Sequence, residues 1–344
     1  MRIIETEKSS YEKGDLIGTG AFARVYVAQA PGSDHQYAIA LSNESLSPEV
    51  EDQLARGYSL FKGIRHENLV PVKESGKTKD GRTYSVMPLI RDFVTLQHYV
   101  RQGDDVRNSE AVAKIVTGVC SALDAIHSRS IIHGDLNPSN IILGKDERPL
   151  LIDFGFARPE PTPDINLGFV PPASTAALKY RVTHEYVARY LSSGGARILG
   201  AVGYHAPESA PDRRADIYSL GCVIYHLLTG RTPVGLYEKP SKVSPGTPSF
   251  WDEIVEKCVR WNPAERYSSA KELAADIERN LSIASSAQTV RTAYLEYSFA
   301  SGILAMNIAW LLSSSLAVAS VVLCGFALLS GFVLHRLARL TQSV

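Results

Sequence analysis

Short apolar runs separated by polar turns dominate the first 90 residues, and this spacing is typical of β-strands. Two strand-like runs flank the glycine-rich segment 18–23, and further strands are predicted at 37–41 and 84–90. Between these strands the apolar residues change to helical spacing. The predicted helix begins with Ser47 at the N-cap and Pro48 in the first turn. Its apolar stripe consists of Val50, Leu54, Tyr58 and Phe61.

Helical periodicity returns after residue 108, where the pattern predicts a long helix capped by Ser109. The apolar stripe of this helix is formed by Val112, Ile115, Val116, Val119, Leu123 and Ile126. A last helix is predicted from residue 268 to about Asn280.

The segment 131–155 follows neither pattern for long. Two isoleucines lead into the polar stretch 133–140, and two short strands separated by a polar turn then end at Asp153. This spacing places Asp135, Asn140 and Asp153 around one point. Phosphoryl transfer from a nucleotide needs a base near the attacking hydroxyl and oxygen ligands for Mg²⁺, and these three side chains can supply both. Each of them alone is also typical of an ordinary turn.

The sequence HGDLNPSN followed by DFG resembles the catalytic loop and the metal-binding element of protein kinases. The resemblance covers about residues 11–280 and implies an α+β, two-lobed protein-kinase-like fold. The small lobe would span 11–90 and the large lobe 91–280, with a long activation segment at 153–208. It implies ATP as the nucleotide, Asp135 as the catalytic base, and Asn140 and Asp153 as ligands for Mg²⁺ or Mn²⁺.

The resemblance also implies a nucleotide pocket in the small lobe. A glycine-rich turn alone is as typical of a hairpin, but here it precedes the catalytic loop in the order of a kinase. Gly18 and Gly20 match the first two glycines of the phosphate-covering loop, and Ala23 stands at the third. The remaining implied contacts are Val25 and Ala38 on the adenine, Met87 as gatekeeper and Leu89 in the hinge.

Several positions depart from the kinase pattern. Ala40 stands where the phosphate-binding lysine is expected, and Gly57 stands where its partner glutamate is expected. Because the lysine and the glutamate are both absent, neither charge is left buried without its partner. A second interacting pair of kinases joins a lysine of the catalytic loop to a threonine before the APE motif. Asn137 stands in place of this lysine and Ala201 in place of this threonine. Gly134 replaces the arginine that meets a phosphate on the activation segment. Arg24, Arg56 and Lys62 are the candidates to replace the missing lysine, although each is more typical of an ordinary surface charge.

Other positions keep the kinase pattern. Glu208 is expected to pair with Arg266, and Asp216 is expected to brace the catalytic loop. The activation segment contains a proline-rich stretch, 156–172, and a candidate extra helix, 173–191. This insertion would cover a substrate groove, bind a partner or serve packing only.

The 38 residues from Tyr297 to Leu334 carry no charged side chain. As one helix they would be about 57 Å long, against about 30 Å of hydrocarbon in a bilayer. A single span at 316–334 and a helical hairpin turning at 313–315 both fit, and a buried soluble helix pair is the third alternative. Residues 281–296 are then a juxtamembrane linker, 297–335 the transmembrane part and 336–344 a basic tail.

Composition adds limits on location and partners. Lys plus Arg and Asp plus Glu both number 36, so the net charge of zero gives no indication of a nucleic-acid partner. The four cysteines are far apart, which favours buried thiols in a reducing compartment. The polar first 13 residues do not resemble a signal peptide.

Taken together, the chain resembles the membrane-anchored serine/threonine kinases of bacteria, with a cytoplasmic kinase-like domain at the inner membrane. The expected function is transfer of the γ-phosphate of ATP to a protein hydroxyl by an atypical phosphate grip. One alternative is a pseudokinase that binds nucleotide or partners without phosphoryl transfer, as a signalling scaffold. Another is a membrane adaptor whose working surface is the insertion 156–205.

Overall fold

The structure is a computed structural model that describes residues 2–44, 46–102, 108–160, 203–208, 211–231 and 238–312. The chain divides into two units, one ending at Ile277 and one beginning at Glu278. The candidate extra helix 173–191, the altered position Ala201 and the predicted span 316–334 lie outside the described residues.

The first part of the chain forms a six-stranded antiparallel sheet in the order β1-β2-β3-β4-β6-β5. The strands predicted from the apolar pattern are confirmed, because they coincide with β2, β3, β4 and β6. The bounds are β1 Arg2–Glu5, β2 Ser10–Thr19, β3 Ala23–Gln29, β4 Gln36–Ser42, β5 Glu74–Lys77 and β6 Thr83–Pro88. The core of one face is formed by Tyr11, Ile39, Leu41, Tyr84 and Val86.

The first helix, α1 (Pro48–Leu60), connects to the sheet through a carboxylate. Glu51 accepts hydrogen bonds from the hydroxyl of Ser42 at 2.5 Å and from the backbone N–H of Thr83 at 3.0 Å. Ser47 is the N-cap residue as predicted, although its side chain makes no capping hydrogen bond. Leu54 and Tyr58 are buried, so the predicted apolar stripe faces the interior.

The second part of the chain is mainly helical and carries two small sheets, β10-β9-β7 and β11-β8. Its strands are β7 Val94–Thr95, β8 Ile131–Ile132, β9 Ile141–Leu143, β10 Pro149–Leu151 and β11 Arg158–Pro159. Its helices are α2 Leu96–Val100, α3 Ser109–His127, α4 Arg214–Thr229, α5 Pro240–Val243, α6 Phe250–Cys258 and α7 Ala270–Leu312. The α3 and α4 helices are largely buried and support the segment between β8 and β9.

Two sequence predictions about helix ends are wrong. The α3 helix is capped by Asn108, whose side chain accepts a hydrogen bond from the N–H of Glu110 at 2.9 Å. Ser109 instead accepts a hydrogen bond from the indole N–H of Trp251. The last helix does not stop near Asn280 but continues to Leu312, because the small and polar residues of this stretch include no proline or glycine before Gly302.

The predicted buried thiols are confirmed for Cys120, Cys222 and Cys258, which form no disulfide among the described residues. Within the ranges that the structure describes, none of the helices combines the length and the apolar character needed to cross a bilayer.

Candidate active site

One buried carboxylate, that of Asp216, holds the polar segment between β8 and β9 in place. Asp216 on α4 accepts hydrogen bonds from the backbone N–H of His133 at 2.9 Å and of Gly134 at 3.0 Å. The Nε2 atom of His127 lies 2.8 Å from the same carboxylate. Burial alone would raise the pKa of Asp216, but the hydrogen bond and charge of His127 outweigh it and the pKa lies below its ordinary value. The predicted brace is therefore confirmed.

Two side-chain amides fix the orientation of Asp135. The Nδ2 of Asn140 donates to the Oδ2 of Asp135 at 2.9 Å and to its backbone oxygen at 2.8 Å. The Nδ2 of Asn137 donates to Oδ1 at 3.2 Å. Because Asn140 turns its amide nitrogen toward Asp135, a cation would be bound by its side-chain oxygen.

Asp153 lies close enough to Asp135 for the two charges to interact. Asp153 is exposed to the cavity by its surface area, but desolvation by the surrounding protein and the negative charge of Asp135 both raise the pKa of its carboxyl. Two carboxylates that repel each other beside an amide oxygen fit a divalent cation, since oxygen ligands suit Mg²⁺ and its charge would relieve the repulsion. The donor set of Asn140 and Asp153 thus fits the implied metal.

The residues after Asp153 are packed against the α1 region. The ring of Phe154 stacks on that of Phe61 with centroids 3.7 Å apart and planes at 8°. Gly57 lies so near this turn that a Cβ would be 2.3 Å from the backbone oxygen of Phe154. The space that a glutamate side chain would need at this position is filled by backbone.

A cavity of about 530 Å³ lies between the glycine-rich turn and this group of polar residues. The turn itself is tight, because the N–H of Gly20 donates to the oxygen of Ala23 at 2.8 Å. All nine residues that the sequence predicts for the site line this one cavity. They are Gly18, Gly20, Val25, Ala38, Met87, Leu89, Asp135, Asn140 and Asp153.

The deep side of the cavity carries neutral residues where the kinase resemblance expects an ion pair. Ala40 on β4 is paired with Ser85 on β6, and both line the cavity with Leu54 and Tyr58. The hydroxyl of Ser85 is fully buried and has no hydrogen-bond partner among the described residues.

Charge in the cavity is unbalanced. The described lining residues include two acids, Asp135 and Asp153, and no lysine or arginine, so Arg24, Arg56 and Lys62 are not among them. His205 is the one lining residue in the described part of the chain that can carry a positive charge.

His205 is the site residue that the sequence did not predict. Its Nε2 lies 3.4 Å from the Oδ1 of Asp135. The backbone around it is anchored on both sides, by buried Tyr204 and by Glu208. Glu208 accepts hydrogen bonds from Arg266 at 2.7 and 2.8 Å, which confirms the predicted ion pair.

Comparison with known families agrees with this architecture. The model of the protein kinase domain family matches residues 11–277. The chain therefore belongs to the protein kinase domain family.

The similar proteins are bacterial and are named serine/threonine-protein kinases. PknE of Mycobacterium bovis is 29% identical over an alignment of 289 positions, and the match covers 78% of this chain and 46% of the relative. PknB of Mycolicibacterium smegmatis is 28% identical over 292 residues, covering 78% of this chain and 42% of the relative. The chain thus spans less than half the length of these curated relatives.

A solved structure shows the same fold. The crystal structure of the Mycobacterium tuberculosis PknI kinase domain matches with a TM-score of 0.58 and 26% sequence identity. The match covers 78% of this chain and 95% of that domain.

Proposed function

We propose that this protein is a serine/threonine kinase that transfers the γ-phosphate of ATP to a protein hydroxyl with Mg²⁺ or Mn²⁺. The observation that carries the proposal is the geometry of Asp135, which is held by two amides within a cavity that also contains Asn140 and Asp153. A chain without phosphoryl transfer would not need an oriented carboxylate beside a metal-binding pair.

In the proposed reaction the substrate hydroxyl oxygen forms a bond to the γ-phosphorus while the bond from that phosphorus to the β–γ bridging oxygen breaks. The proton of the hydroxyl passes to Asp135 and ADP leaves. Asn140 and Asp153 would hold the metal ion, which would supply positive charge to the phosphate oxygens when bound. Asp216 keeps the loop in place through the backbone of His133 and Gly134.

Binding of the ATP phosphates is expected to be weak. Ala40 offers no charge, and Gly57 cannot be replaced by a glutamate without moving the backbone of Phe154. The remaining contacts would be backbone N–H groups of the glycine-rich turn and the bound metal. We therefore expect a high KM for ATP and a strict requirement for a divalent cation.

A pseudokinase is the second candidate. It is favoured by the same neutral surface at Ala40, Ser85 and Gly57, since a cavity without lysine or arginine among its described residues suits phosphate poorly. A chain of this kind would bind nucleotide or a partner and leave labelled substrate unchanged.

Transfer from γ-labelled ATP by the purified full chain separates the two. The assay would include Mg²⁺ or Mn²⁺ and generic protein substrates, beside Asp135→Asn and Ala40→Lys. Serine or threonine labelling that Asp135→Asn abolishes supports the kinase. If the native chain labels nothing, even with Mn²⁺, the kinase proposal fails. Labelling by Ala40→Lys alone would identify the missing lysine as the cause.

Membrane attachment through the C-terminal part is a further element of the proposal. The described part of α7 exposes large apolar side chains, among them Tyr297 and Phe299 at 74% and Leu304 at 61%. The chain that follows is free of charge up to Leu334. Such a surface is stabilised by lipid rather than by water. Membrane fractions of cells would retain the full chain and release a form lacking residues 297–334; retention of the deleted form would contradict the proposal.

A further inference from the structure

His205 contacts the proposed base from a distant part of the sequence. Its Nε2 is 3.4 Å from the Oδ1 of Asp135, and the two side chains are 19% and 18% exposed. Asn137 donates to the same Oδ1 atom at 3.2 Å, and Asn140 donates to Oδ2 at 2.9 Å. Asp135 is therefore surrounded by two neutral amides and one imidazole.

Hydrogen bonds hold the segment that carries His205 before and after this residue. The hydroxyl of the preceding Tyr204 is hydrogen-bonded to Nδ1 of His226, and both side chains are buried. Three residues further on, Glu208 is bound by both terminal guanidinium nitrogens of Arg266. Arg266 also donates to the backbone oxygens of Arg214 and Trp261. Because Tyr204 and Glu208 are both held by buried partners, the fold brings the backbone of His205 close to Asp135.

The charges of the site indicate why an imidazole is useful there. Two carboxylates line the cavity, and a nucleoside triphosphate would bring further negative charge. Among the described lining residues, His205 alone can oppose this with a positive charge. Asn137, at the position where the resemblance expects a lysine, contributes a neutral amide.

We propose that His205 is a positioning residue for phosphoryl transfer: it holds Asp135 as an oriented carboxylate and supplies, from the segment 203–208, the positive charge that is missing at position 137. The inference rests on the proposed kinase function. Charge at this point matters more for the transferring phosphoryl group than for the bound nucleotide, so it acts on kcat more than on KM.

Four forms of the full chain test this role. His205→Gln keeps a polar amide and removes the charge, whereas His205→Lys keeps the charge on another side chain. Asn137→Lys introduces a lysine at the position whose amide now bonds Oδ1 of Asp135, and it is made alone and together with His205→Gln. Initial rates of labelling give kcat and the KM for Mg·ATP, and thermal unfolding shows whether each variant is folded.

We expect His205→Gln to lower kcat about 100-fold, with the KM for Mg·ATP changed by less than about threefold. His205→Lys and the double variant His205→Gln with Asn137→Lys should both regain at least about a tenth of the native kcat, because each restores a positive charge beside Asp135.

Two results would overturn the role of His205 while leaving the kinase proposal intact. One is native kcat in His205→Gln. The other is a loss of kcat that neither lysine variant recovers, since that pattern belongs to packing and not to charge. The kinase proposal and this inference both fail if the native chain labels no substrate. They also fail if Asp135→Asn does not remove the labelling.

Discussion

Gly57 packs directly on the backbone of Phe154, and a Cβ at position 57 would lie 2.3 Å from the Phe154 oxygen and 2.5 Å from that of Gly155. Contacts this short force the helix or the turn to move. We expect Gly57→Ala to lower the free energy of unfolding by about 1–3 kcal/mol, the usual effect of overpacking a core. Urea unfolding of the native chain and of Gly57→Ala measures this difference in stability.

Gly18→Ala is the control for this substitution, because a Cβ there would meet Val25 at 3.5 Å, an ordinary contact. Equal stabilities of the Gly57→Ala and native chains would show that the α1 helix can shift without cost.

The same contact predicts that the usual ion pair cannot be rebuilt by substitution alone. In the double variant Ala40→Lys with Gly57→Glu, the glutamate has no room beside Phe154. We expect this double variant to be less stable and less active than Ala40→Lys alone. Kinetics and unfolding of both variants check this, and a double variant more active than Ala40→Lys would contradict it.

Two buried serines on neighbouring strands should respond to alanine in opposite directions. The Ser85 hydroxyl has no partner among the described residues, so Ser85→Ala removes a desolvated polar group and should raise the free energy of unfolding by about 1 kcal/mol. The Ser42 hydroxyl donates to Glu51 at 2.5 Å and accepts from the N–H of Thr83 at 3.0 Å. Ser42→Ala should therefore lower stability by about 1–2 kcal/mol. Urea unfolding of the two variants tests the pair, and a loss of stability in Ser85→Ala would show that its hydroxyl is bonded in solution.

Gly134 combines a left-handed backbone, φ 77°, with a close neighbour, since a Cβ would lie 2.7 Å from the oxygen of Phe156. Gly63 has a similar φ of 79° with nothing within 4 Å of its Cβ position. In both alanine variants, backbone strain should lower the free energy of unfolding by about 1–2 kcal/mol. Gly134→Ala should lose about 1 kcal/mol more from the contact. Identical losses, measured by urea unfolding, would rule out the contact as a cause.

Glu160, directly after β11, is bound by Arg213 through several hydrogen bonds. The Nε of Arg213 lies 2.8 and 3.0 Å from the two carboxylate oxygens, and its backbone N–H lies 3.1 Å from one of them. This pair connects the end of β11 to the start of α4. Glu160→Gln should lower the free energy of unfolding at pH 7 by about 1 kcal/mol.

The stability that Glu160 adds should depend on pH. Burial alone would raise the pKa of this carboxyl, but the bonds from Arg213 outweigh it, so the folded pKa lies below the ordinary value. The advantage of Glu160 over glutamine is therefore complete above its unfolded pKa of about 4.3 and is lost as the pH falls through the lower folded pKa. Urea unfolding of both forms between pH 3 and pH 7 measures it; a constant difference across this range would contradict the assignment.

The sequence predicted well those features that depend on residue type and spacing. Asp216 and the Glu208–Arg266 pair were found because they stand at fixed places in the kinase pattern, and both make the expected bonds. The nine predicted site residues converge on one cavity for the same reason. Their roles in binding and catalysis stay predictions.

Features set by distant contacts were not predictable in this way. Counting residues identified Gly57 as the position of the missing glutamate, but nothing in the sequence shows that the backbone of Phe154 fills the space. His205 carries no signal of its own, since a single histidine is uninformative until the fold brings it beside Asp135. The cap of α3 was misplaced by one residue because Asn108 and Ser109 are both good capping residues.

The strand β1 also escaped the sequence analysis, since four residues carry too little periodicity. It pairs with β2 and places Ile4 in the core beside Tyr11 and Tyr84, and Thr6 continues the pairing to Thr78 beyond β5. The family match begins only at residue 11. A protein expressed from that boundary would lack the β1 edge strand and the core contact of Ile4, so we expect the shortened form to unfold at lower urea concentration than the full chain.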